Sequence, residues 1–162
     1  ERGTGDGLVI ASRAAEGAAF LITYWHDKGI NPPKPREVLA LGFTYPGLPP
    51  REMSPNGRVH WSARNRARRD IQGDIWALIL EQEYTSGIIE NPIISIRWGL
   101  PDRIRRDWDN LIAMTKPIID SLTQASILAD DSVRDYTPRY AWFDSPKNPL
   151  TEIKVYRVEY DN

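Results

Sequence analysis

The sequence contains no cysteine. That excludes disulfides, thiolate metal sites and cysteine nucleophiles, and it agrees with a reducing compartment. Histidine is scarce, at two residues, His26 and His60, so metal chemistry has to rest mainly on carboxylates. A long apolar run is also missing. Near the start the longest uncharged stretch, Gly17 to Trp25, is far shorter than the roughly 20 residues of a membrane span, and no secretory pattern precedes it. The expectation is a cytoplasmic protein without membrane contact. Residue 1 is Glu1 rather than methionine, so the numbering can begin inside a longer chain. Finally, neither charge sign is in excess. The formal net charge is -1, and overall charge therefore does not announce a nucleic-acid partner, whose phosphates are normally met by surplus Lys and Arg.

What is there supports one packed unit. A chain of 162 residues matches the size of a single domain. Hydrophobic content of 41%, charged content of 27% and six tryptophans are globular rather than disordered values. The charges, though near balance, are segregated. From Arg51 to Arg69 six arginines face one acid, Glu52, and Arg103, Arg105 and Arg106 form a second basic cluster. The acids follow, at Asp107, Asp109, Asp120, Asp130 and Asp131. A basic track leading to an acidic pocket is the arrangement this order suggests.

Periodicity gives the coarse organisation. Residues 8 to 27 read as a helix stopped by Gly29, and the proline-rich stretch from Asn31 to Pro35 reads as a linker. Residues 1–37 are thus expected to be a helical appendage and residues 38–162 the main domain. Val38 to Tyr45 reads as a strand ending at Pro46 and Gly47. Val59, Ala63, Ala67, Ile71, Ile75 and Leu78 mark a long amphipathic helix from about Arg58 to Glu83. Gly73 weakens that helix by about 1 kcal/mol relative to alanine, so a kink or a close packing contact is expected there. Ile93 to Trp98 reads as a strand, and Arg103 to Asp109 as extended chain. A helix follows over Asn110 to Gln124, either kinked at Pro117 or restarted near Thr115, since proline is tolerated in a first turn. Val133 to Phe143 and Ile153 to Tyr160 read as a closing hairpin around Ser145 to Pro149. Trp61, Trp76, Trp98 and Trp108 sit in apolar patterns and are expected in the core, with base stacking entertained for Trp108 alone.

The chemistry concentrates after Arg105. On an extended chain residues two apart point the same way, so Asp107 and Asp109 are expected to converge. Two carboxylates with a third from elsewhere suit Mg²⁺, which completes its octahedron with water and phosphate oxygens, and Asp130 or Asp131 can supply the third. An isolated Asp-x-Asp caps helices or decorates turns more often than it binds metal. The wider array is more specific: Asp107-Trp108-Asp109-Asn110-Leu111, then Lys116 with Asp120 four residues on, then Asp130-Asp131 before Val133.

That array resembles the RusA-type Holliday junction resolvases, closely over about residues 105 to 136. Ser54, Pro55 and Asn56 with His60 and Trp61 look like the loop leading into a helix in phage-type members. The resemblance implies that Asp107, Asp109 and Asp131 bind metal, with Asp130 beside them, and that Lys116 contacts the scissile phosphate or leaving oxygen. Asp120 would hold the lysine through an i,i+4 pair, with Asn110 supporting the site. Many members carry the lysine four residues after the second aspartate, where this sequence has Ala113, so Lys116 implies a three-residue insertion around Ile112 to Thr115. Arg58, Arg64, Arg66, Arg68, Arg69, Arg105 and Arg106 are expected to meet DNA backbone. His60 is expected to be structural.

The expected fold is a mixed α/β (α+β) domain, a small mixed sheet packed against two main helices. The expected function is that of a Mg²⁺-dependent endodeoxyribonuclease, with Mn²⁺ able to substitute, resolving four-way DNA junctions by paired nicks in recombination and repair as a homodimer. One alternative is a non-catalytic branched-DNA-binding protein of the same fold. A nucleotide-sugar transferase using Asp-x-Asp ranks below both, because no glycine-rich phosphate loop precedes Asp107.

Overall fold

The computed structural model describes residues 35–160 together with Gly29. The helix expected over residues 8 to 27, and most of the appendage over residues 1–37, lie outside the described residues. Glu37–Val158 form one compact unit. Four strands, β1 (Pro35–Tyr45), β2 (Ile93–Leu100), β3 (Thr137–Asp144) and β4 (Leu150–Tyr160), make a sheet of order β1-β4-β2-β3. β2 runs antiparallel to β4 and parallel to β3. The helices are α1 (Trp61–Glu81), α2 (Trp108–Ile112) and α3 (Thr115–Gln124), and a 3₁₀ turn covers Arg51–Met53. A mixed α+β fold is thus observed.

The pleat explains which side chains make the core. Ile94, Ile96 and Trp98 alternate along β2 and lie in register with Val155, Ile153 and Thr151 of β4, all six buried. All but Thr151 join Ile71, Ile75 and Ile79, spaced four apart on α1, and Ile118, Ile119 and Leu122 of α3 in one cluster. Each such isoleucine removed from water contributes about 1.5–3 kcal/mol. α1 and α3 come close at Ser121, whose buried hydroxyl donates to Pro117 O at 2.8 Å and Gln72 O at 3.2 Å. On the opposite face of the sheet Arg97 pairs with Glu152 at 3.1 Å and lies 4.8 Å over the Phe143 ring.

Three expectations are corrected. The last two strands are not a hairpin: β3 and β4 flank β2 on opposite sides. The five-residue link between them passes the end of β2, where Ser145 N donates to Leu100 O at 2.8 Å. A Cβ on Gly99 would lie 2.9 Å from Ser145 Cβ and 3.1 Å from Leu150 and Phe143 side-chain atoms, so a side chain there would block the crossing. Gly73 marks no close packing contact, since nothing lies within 4 Å of a Cβ built on it, and the α1 assignment runs unbroken through it. Of the two forms expected for the Asn110–Gln124 segment the restart is the one observed: the chain breaks at Ala113 and Met114, and a second helix begins at Thr115 with Pro117 in its first turn. Trp61 is not core: it is 69% exposed.

Because β2 and β3 are parallel, the chain must return to the starting edge between them. Residues 101–136 make that return, and they carry α2, α3 and every candidate acid.

Candidate active site

Three segments of this return contribute. The first leaves β2 at Leu100 and reaches α2 at Asp107, which occupies the N-cap position with extended backbone (φ -86°, ψ 147°) but makes no side-chain cap hydrogen bond. An aspartate in this position ordinarily satisfies a free helix N–H. Asp107 instead stays exposed, with Arg105 Nε 3.8 Å away. Asp109 lies in the first helical turn. The extended alternation expected to make Asp107 and Asp109 converge therefore ends at Asp107, and helical geometry sets their relation. Asn110 accepts a hydrogen bond from Ser54 Oγ at 2.6 Å, tying α2 to the loop before α1.

The second segment is α3. Its Lys116 Nζ pairs with Asp120 Oδ1 at 2.6 Å, one turn on, and with Asp131 Oδ2. Asp120 also accepts from Arg68 Nη2 of α1 at 2.8 Å. A chain of alternating charge, Arg68–Asp120–Lys116–Asp131, thus connects the basic helix to the third segment. Asp120 above all, and then Asp131, hold the lysine above its ordinary pKa. Hydrogen bonding to Lys116, reinforced by its charge, holds Asp131 below the usual carboxylate range.

The third segment delivers Asp131. α3 ends in a Schellman arrangement, with Ile127 N donating to Leu122 O and Ser126 N to Thr123 O, both at 3.0 Å. Ser126 takes the left-handed position (φ 55°) usually given to glycine. Ile127 and Leu128 are buried immediately after it. Anchored in this way, the chain emerges at Asp130, whose Oδ1 accepts from Asp131 N at 2.8 Å.

The expected basic surface divides. Arg64 donates to Gly57 O at 3.1 Å and Ser54 O at 3.5 Å, holding the loop before α1. Arg106 grips Asp102 at 2.6 and 3.1 Å. With Arg68 on Asp120 and Arg105 3.8 Å from Asp107, four of the seven arginines are engaged internally. Arg58, Arg66 and Arg69 have no ion-pair or hydrogen-bond partner among the described residues. His60 is structural, its ring accepting from Ser62 N at 3.3 Å as the cap of α1. Sequence reasoning missed the exposure of Trp142, 55%. It also read Trp61 as core, although a tryptophan directly after a helix cap has no preceding turn to pack against.

Among the described residues no three His, Cys, Asp or Glu side chains are grouped closely enough to hold a metal ion, so Asp107, Asp109 and Asp131 are not assembled into a ready cage. The donor chemistry nevertheless suits Mg²⁺: the acids are exposed oxygen donors, and this cation uses one or two carboxylates with water and substrate phosphate. Also among the described residues, no helix is long and apolar enough to cross a membrane.

Comparison with known proteins gives one consistent result. Over 81 residues the chain is 38% identical to the crossover junction endodeoxyribonuclease RusA of Escherichia coli, and equally to that of Shigella sonnei. The likeness to RusA covers that part of the chain alone. The match takes in 49% of this chain and 62% of each of those proteins, so the chain spans less than two thirds of the curated relatives it matches. No protein-family profile matches it.

Proposed function

We propose that this protein is a metal-dependent, structure-selective endodeoxyribonuclease of the RusA type, resolving four-way DNA junctions by paired nicks in recombination and repair. The observation that carries the reading is the lysine held between two acids, Lys116 between Asp120 and Asp131, close in sequence to an unused N-cap acid. The partial likeness to RusA supports it.

In this reading Asp107 and Asp109 would hold Mg²⁺ or Mn²⁺, with Asp131, and Asp130 beside it, as the further acids, and DNA binding would compete with Asp131 for Lys116. The bound metal would activate water and neutralise charge growing on the phosphate. Lys116, kept protonated by its partners, meets the scissile phosphate or the leaving oxygen and stabilises charge there. Asp120 keeps the lysine aimed, and Arg68 keeps Asp120 in place. Arg58, Arg66 and Arg69 bind backbone phosphates independently of sequence. Resolution needs two opposed cuts, so the active form is a homodimer.

A mobile four-way junction and a linear duplex of the same sequence, each incubated with and without Mg²⁺ beside the Asp109→Asn protein, test the proposal. Paired nicks confined to the junction, dependent on metal and absent from the variant, are expected. The variant should still bind the junction, because one negative charge facing DNA is gone. The second reading, a non-catalytic junction binder, is favoured by the unassembled acids; junction binding without cutting in Mg²⁺ or Mn²⁺ would select it.

A further inference from the structure

Beside the acids lies a cleft that the proposed chemistry does not use. Its volume is about 430 Å³, within the roughly 300–1,000 Å³ of small-molecule sites. Ile104, Trp108 and Trp142 line it and remain 68%, 47% and 55% exposed. A lone exposed apolar residue needs no explanation, but three converging on one depression do. The aromatic walls are held from beneath. Trp108 meets the fully buried Trp98 edge-on at 6.1 Å, and Trp142 is the register partner of Trp98 on the neighbouring strand. Arg103 and Arg105 also line the cleft, together with the acids Asp102 and Asp144. Arg106, a third lining arginine, is turned to Asp102 and neutralises it.

Position supports a ligand. The cleft opens where β2 and β3, a parallel pair, end at Leu100 and Asp144, and crevices outside the carboxyl ends of parallel strands are where α/β sheets bind ligands. Trp108 itself stands between Asp107 and Asp109 in the chain. A base stacked on Trp108 is therefore within about one nucleotide's reach of a phosphate held by those acids, although neighbouring helical side chains point in different directions.

We propose that this cleft takes one unstacked nucleobase, that of a nucleotide flanking the cut phosphate, between Trp108 and Trp142, with Arg103 and Arg105 on the adjoining backbone. The proposal rests on the nuclease reading for its position beside the cut, and on the cleft alone for its ligand. A planar aromatic base suits two indoles and guanidinium groups, and a branch point, already unpaired, releases a base at little cost. The cleft then decides which nucleotides can flank the cut.

Trp142 is outside the catalytic set and exposed on an edge strand, so Trp142→Ala can be made in the full chain, with Trp142→Phe as the conservative control and circular dichroism as the check on folding. The probes are 2-aminopurine at the nucleotide flanking the cut in a four-way junction, and the same base in a short single strand. Wild type and Trp142→Phe should change the probe's fluorescence. Trp142→Ala should lose that change, cut roughly 5- to 150-fold more slowly and discriminate less among flanking sequences. Normal cutting with an unchanged probe response in folded Trp142→Ala overturns the cleft and leaves the nuclease reading standing. A Trp142-dependent response on the single strand, from protein that neither binds nor cuts junctions, does the reverse. No response from wild type on either probe overturns the cleft.

Discussion

The acids on the two sides of α3 are held in opposite ways. Asp131 arrives on a chain pinned by a helix cap and two buried residues, and its carboxylate is already paired with Lys116. Asp107 and Asp109 sit on a five-residue helix, exposed, with a 3.8 Å arginine as the nearest cation to Asp107. One half is neutralised from within the protein; the other leaves its charge to whatever binds. The difference matches a division of labour in which the paired half sets geometry and the open half captures a cation with its phosphate, and it offers a reason why three acids need not gather before DNA arrives.

The largest expected effect sets the two halves against each other through their metal requirement. Lys116→Met removes a cation aimed at the reacting phosphate and should slow junction cutting by about 100-fold or more. By freeing Asp131 it should lower, or leave unchanged, the Mg²⁺ concentration for half-maximal cutting. Asp107→Asn removes a metal oxygen and should raise that concentration. Metal titrations of both variants decide the matter, and shifts in the same direction would end the comparison.

A smaller effect probes how firmly the open half is supported. Ser54 Oγ donates to Asn110 on α2 at 2.6 Å, and the carbonyls of Ser54 and Gly57 are in turn held by Arg64. Ser54→Ala deletes one partly buried hydrogen bond, which is worth about 1 kcal/mol. Urea denaturation should show a loss of that size, accompanied by a few-fold fall in cutting as Asp109 loses its fixed neighbour. Lost stability with unchanged cutting would mean that α2 positions the acid without help from the loop.

How much of this was legible in the sequence follows from what each inference rested on. The α+β class, the long helix and the first strands came from periodicity, which burial then imposes on the chain, as at Ile71, Ile75 and Ile79. The link from Lys116 to Asp120 was readable because helical spacing fixes it locally. The hairpin was misread because strand order depends on distant partners: the five residues after β3 fit a turn, and only the space above Gly99 reveals a crossing. Asp107 and Asp109 were misplaced for a related reason, an extended template having been carried one residue too far into α2. The engagement of Arg64 and the exposure of Trp142 depend on tertiary neighbours and have no local signal, whereas the place of Trp61 directly after a helix cap was a local signal that went unread. Assignment of the acids to metal was carried by resemblance, and it remains for the metal titrations to test.

The smallest effect concerns protons. Pairing with Lys116 lowers the Asp131 pKa, so the pair contributes its stabilisation above the ordinary aspartate pKa of about 3.9 and loses it as pH falls through the lowered value. For Lys116, whose pKa is raised, the contribution is complete below the ordinary lysine value and is lost as pH rises through the raised one. Between these limits, across the neutral range, the pair stays closed. Carbon-13 NMR of the Asp131 carboxyl should give a midpoint below the ordinary aspartate value in wild type and a return towards it in Lys116→Met. Both groups are well exposed, so the stability involved is small, and the titration rather than a melting curve is the sensitive readout. A midpoint unmoved by Lys116→Met would show that the paired half is as open in solution as the half across α3, and the contrast between them would vanish.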